Sequence, residues 1–104
     1  MTRTAHGELE VVALAGELDM ASAPAVTEAL DDLADMSARV VVDFTELSFI
    51  DSSGIHAVFR PKTERTIVGL VCPPGNVSRV LEVTKIDRVL PVYGTLDAAL
   101  AGLA

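Results

Sequence analysis

The residues VVVDFTELSFIDSSGIH, Val40 to His56, decide the fold. Val40, Val41 and Val42 lack the alternation of a half-solvated strand, so a strand over Arg39–Phe44 is expected to be covered on both faces. Phe49 and Ile50 are expected to anchor the chain that follows to the core. Asp51, Ser52, Ser53 and Gly54 then change the chemistry abruptly, and apolar residues resume at Ile55. Acids and hydroxyls in such a place accept hydrogen bonds from the free N–H groups of a helix start. A short helix is therefore expected from Ser53 to about Arg60, where Pro61 stops it. A covered strand that hands over to a helix points to an α/β architecture.

Outward from this stretch the alternation continues. Leu9–Ala15 is rich in β-formers and is expected to end at Gly16. Thr2–Ala5 is expected to pair with it as an edge strand through a turn at His6-Gly7-Glu8. Over Met20–Asp35, Val26, Ala29, Leu30, Leu33 and Ala34 recur at helical spacing, and Glu28, Asp31, Asp32 and Asp35 fall on the opposite face. Ser22 is the expected N-cap, with Pro24 just inside. Thr66–Cys72 reads as another covered strand, and Pro73-Pro74-Gly75 breaks it. Asn76 is expected to cap a helix to about Lys85. Val89–Tyr93, interrupted by Pro91, reads as an edge strand, and Thr95 as the cap of a last helix over Leu96–Leu103. This order implies a mixed, mostly parallel sheet of four to five strands with about four helices packed against it. A chain of 104 residues fits one domain over residues 1–104.

Composition narrows the function. Half of the residues are hydrophobic and 4% are aromatic, so the core must be aliphatic. Eight basic against 15 acidic residues give a net charge of −7, which disfavours nucleic acid and anionic membrane surfaces and suits a protein partner with a basic face. No apolar stretch approaches the roughly 20 residues of a membrane span. Met1–His6 lacks the apolar region of a signal peptide, so a cytoplasmic location is expected. Cys72 is the one cysteine, so no disulfide can form within the chain, and its setting is that of a small buried apolar residue.

No enzyme motif is present. Gly-x-Ser-x-Gly, GxGxxG and the P-loop pattern are all absent. His6 and His56 are far apart in sequence, and no His/Cys cluster has metal-ligand spacing. Asp19, Asp43 and Asp51 fall near strand ends, where acids are common, so no metal or other cofactor is assigned. On spacing alone, Asp51-Ser52-Ser53 reads as a helix cap. The competing reading presents a hydroxyl at an exposed turn, where a kinase could add a phosphate carrying about −1.5 to −2 charges.

A resemblance bears on that choice. Gly16-Glu17-Leu18-Asp19, followed by a helix near Ala23-Pro24 and then by Phe49-Ile50-Asp51-Ser52-Ser53-Gly54, resembles the STAS domain family, most of all its stand-alone anti-sigma factor antagonists. Val77–Asp87 is similar to the family's third helix, and Val92–Leu100 to its last strand and helix. The resemblance implies a non-enzymatic protein that binds an anti-sigma factor, itself a serine kinase, and so releases a sigma factor. It implies Ser52 as phosphoacceptor, phosphorylation as the off-switch, and a phosphatase that resets it. Asp19, Asp51, Ser53, Gly54, Ile55 and His56 are the partner-binding residues it implies. The chain departs from the family at Ile55-His56, where Leu-Gly is frequent, and in a shortened segment up to Thr66. The alternative is a STAS scaffold used without phosphorylation, or a detached subunit of a transporter or lipid-trafficking system.

Overall fold

The computed structural model describes residues 1–103. Five strands form one sheet in sequence order: β1 (Thr2–His6), β2 (Leu9–Leu18), β3 (Arg39–Ile50), β4 (Ile67–Val71) and β5 (Val92–Tyr93). β1 is antiparallel to β2, and the other pairings are parallel. The helices are α1 (Ala23–Asp35), α2 (Ser52–Val58), α3 (Asn76–Val83) and α4 (Leu96–Leu103). Two short 3-10 turns, Pro61–Thr63 and Ile86–Arg88, complete the chain path.

The strand order determines where the helices lie. Crossovers between parallel strands are right-handed. When strands β2 to β5 are laid down in one direction, α1, α2 and α3 fall on the same face of the sheet. The larger core lies there, with Val12, Leu14, Val40, Val42, Phe44 and Leu70 of the strands beneath Leu30, Leu33, Val58 and Leu81 of the helices. The opposite face presents Leu9, Val11, Val41 and Val71, and α4 covers it through Ala99. The unbroken valine run is thereby explained: Val40 and Val42 face one core and Val41 the other, all fully buried.

Two strands run further than the sequence suggests. Gly16 does not end β2. It has φ +76°, where a side chain would be strained, and sits at a register irregularity through which β2 continues to Leu18. β3 likewise continues past Phe44, because Glu46, Leu47, Phe49 and Ile50 pair with the end of β2. That continuation corrects one anchor. Ile50 is buried, but Phe49 points to the other side of the strand and is 47% exposed.

Helix boundaries shift by small amounts. Ser22 precedes α1, yet its side chain makes no cap bond to the helix. Gly75, not Asn76, holds the N-cap position of α3, and the Ser78 hydroxyl accepts from the Gly75 N–H at 2.8 Å. The Thr95 hydroxyl accepts from the Ala98 N–H at 3.1 Å, the cap expected for α4.

Candidate functional site

Loops that follow parallel strands collect at the edge formed by the strands' C-terminal ends. β2 and β3 finish together there, Leu18 beside Ile50. The Asp51 N–H donates to the Leu18 carbonyl at 3.2 Å, which holds the two following segments side by side.

Asp51 is the N-cap of α2. Its backbone is extended, and its Oδ1 accepts from the Gly54 N–H at 3.0 Å. The cap therefore does not use the Ser52 hydroxyl, and Ser52, the first residue of α2, is exposed. Ser53 beside it is half-buried, and His56, one turn on, is exposed.

Gly54 faces the other way and is buried. A Cβ on it would lie 2.6 Å from the Leu18 carbonyl oxygen and 2.8 Å from Cγ1 of Ile50. Gly54, expected among the partner-binding residues, is thus turned toward its own sheet: the missing side chain lets α2 approach the ends of β2 and β3. Ile55 is half-buried and packs against the larger core, so it also turns inward in part.

Asp19 shapes the neighbouring segment. Its Oδ1 accepts from the N–H groups of Ala21 at 3.0 Å and Ser22 at 3.2 Å. The Ser22 hydroxyl donates to the Glu17 carbonyl at 2.8 Å and accepts from the Asp19 N–H at 3.0 Å. These bonds fold the turn that launches α1 beside the Asp51 cap.

Between α1 and α2 runs a groove of about 810 Å³. Ser52, Ser53 and His56 line one wall, and Met20, Pro24, Glu28 and Asp32 line the other. Arg60, just beyond α2, crosses to α1. It pairs with Asp31 and donates to the Thr27 carbonyl at 3.4 Å. The hydrogen bond from Arg60 holds the Asp31 carboxyl below the ordinary carboxylate range, with desolvation opposing it. Arg60 and Met20 were not legible as site residues in the sequence. Arg60 carried a signal, a cation four residues past His56 in a chain whose preceding helix bears an acidic stripe. Met20, 78% exposed at the groove, carried none.

The chain matches the STAS domain family over residues 2–99. It belongs to the STAS domain family. The anti-sigma-F factor antagonist RsfB of Mycobacterium tuberculosis strain H37Rv is 28% identical to this STAS domain over 102 residues, which span 94% of this chain and 84% of RsfB. An anti-sigma factor antagonist from Mycobacterium paratuberculosis superimposes with a TM-score of 0.84 at 28% identity, over 97% of this chain and 90% of that one. Unphosphorylated SpoIIAA, also an anti-sigma factor antagonist, shares the fold with a TM-score of 0.79 at 22% identity, over 98% and 94% of the two chains. Among the described residues of this STAS domain, no helix is long and apolar enough to cross a membrane.

Proposed function

We propose that this STAS domain is an anti-sigma factor antagonist that phosphorylation of Ser52 switches off. The observation that carries the proposal is the placement of Ser52. It is exposed at the start of α2 and lines the α1–α2 groove, while Asp51 carries the cap. A kinase can reach that hydroxyl, and a phosphate on it displaces no core contact. The names of the mycobacterial relatives support the role.

In this reading the partner is an anti-sigma factor that is also a serine kinase. Docking on the face around Ser52 frees the sigma factor, and a phosphatase restores the unmodified form. Asp51 and Ser53 flank the acceptor, His56 shares its groove wall, Asp19 shapes the neighbouring turn, Ile55 adds its exposed part, and Gly54 holds α2 at the right height. A phosphate carries about −1.5 to −2 charges. Desolvating it against a partner without a matched cation costs several kcal/mol, and about 1.4 kcal/mol is tenfold in affinity. The test is incubation with ATP and the kinase-type anti-sigma factor of the same genome. Label should appear on the native chain and vanish in Ser52→Ala. Binding without any label would replace this reading with an unphosphorylated scaffold.

A further inference from the structure

The structure gives His56 a setting on the same face of α2 as Ser52. Residues four apart on a helix are surface neighbours, with their Cβ atoms roughly 6 Å apart. Ser52 and His56 have this spacing on α2, both are exposed, and both line the groove toward α1. Arg60, another four residues on, lines the same groove, but its guanidinium is engaged by Asp31 and the Thr27 carbonyl. Among the described residues His56 is therefore the side chain on this stripe that can take a positive charge and is not already held in an ion pair.

We propose that His56 is the counter-ion for a phosphate on Ser52, so that the charge of the phosphorylated face is set by pH. This rests on the reading of Ser52 as an acceptor. Imidazole titrates between pH 5 and 8, and a phosphoserine takes up its second proton near pH 6, so both groups change charge in one window. The surrounding charges are Asp51 at the cap, Glu28, Asp31 and Asp32 on α1, and Arg60 paired with Asp31. The net acidic surroundings disfavour the phosphate dianion. His56 is thus the local group that favours the dianion. Below neutrality the imidazolium offsets part of the added charge; above it the phosphorylated face carries the full dianion, whose desolvation against a docked partner costs most.

The coupling must be reciprocal. A cation and an added negative charge about 6 Å apart at the surface should shift each other's titration by about 0.3–0.5 pH unit. Relative to the monoanion, the dianion should raise the titration midpoint of His56, and protonated His56 should lower that of the phosphate by the same amount. Genetic incorporation of phosphoserine at position 52 supplies the phosphorylated chain without any kinase. Phosphorus NMR then follows the phosphate and proton NMR follows the imidazole across pH 5–8. His56→Gln should raise the phosphate midpoint by that amount, and His56→Arg should restore the lower value. Equal phosphate midpoints in the native and His56→Gln chains, or an imidazole midpoint unmoved by the phosphate, overturn the proposal. Because neither kinase nor partner is used, this outcome is separate from a failure of Ser52 to be phosphorylated by an anti-sigma factor.

Discussion

Gly54 sits three residues past Asp51, inside the turn that the Asp51 carboxylate caps. A Cβ on it would meet the Leu18 carbonyl oxygen, a backbone atom that cannot rotate aside as a side chain can. Adding one methyl group there pushes α2 off the sheet. Overpacking of this kind typically costs about 1–3 kcal/mol. Gly54→Ala should therefore lower the urea midpoint at an unchanged slope, and an unaltered midpoint would show that α2 does not rest on β2. Asp51→Ala removes the cap and should cost about 1 kcal/mol, with Asp51→Asn recovering most of it. The sequence disclosed these two residues unequally. An acid before a helix announces a cap by local chemistry alone. The partner that forbids a side chain at Gly54 is the end of β2, more than 30 positions away, and only the parallel pairing of Leu18 with Ile50 brings it there.

At the scale of elements, α1 and α2 meet through charge as well as apolar packing. Arg60 pairs with Asp31, and Lys62 lies 3.2 Å from Asp35, so the cations after α2 face the acidic stripe of α1. Asp31 is held below the ordinary carboxylate range chiefly by its hydrogen bond from Arg60. A depressed value in the folded state means that the pair's contribution is present above the unfolded carboxylate's range and is lost as pH falls through the folded value. Arg60→Ala should return the Asp31 titration to the ordinary range, read by carboxyl carbon NMR between pH 2 and about 6, a span that covers the normal carboxylate values. An unmoved Asp31 would refute the link between the helices. The stripe on α1 was legible, because helical spacing separates its acids from Val26, Leu30 and Leu33. The full length of β3 was not. Thr45 and Glu46, then Ser48 and Phe49, break the run of buried residues, and all four are exposed. What keeps that segment in the sheet is its pairing with β2, a tertiary contact with no local signature.

Across the whole molecule, the reading of Ser52 as a switch requires that its modification act on a partner and leave the fold alone. Cys72 offers a probe of the fold that is independent of any partner. It lies just past β4, its residue is 5% exposed, and burial together with the Asp43 charge raises its thiol. A thiol in this state reacts slowly, because the thiolate is the nucleophile and the reagent must wait for the core to open. Labelling of native protein at pH 8 should therefore be slow and should accelerate in denaturant. When opening and closing are fast relative to the chemistry, the labelling rate follows the open population, so about 1.4 kcal/mol of destabilisation accelerates it tenfold. Gly54→Ala should then speed Cys72 labelling by about five- to a hundredfold. Ser52→Asp should leave it within a factor of two, because an exposed side chain outside the cap contributes little to stability. The same Ser52→Asp chain should bind the anti-sigma factor at least tenfold more weakly. Weak binding with normal labelling assigns the effect to the docking face. Weak binding with fast labelling would mean that the substitution unfolds the chain, and Ser52 would lose its standing as a switch.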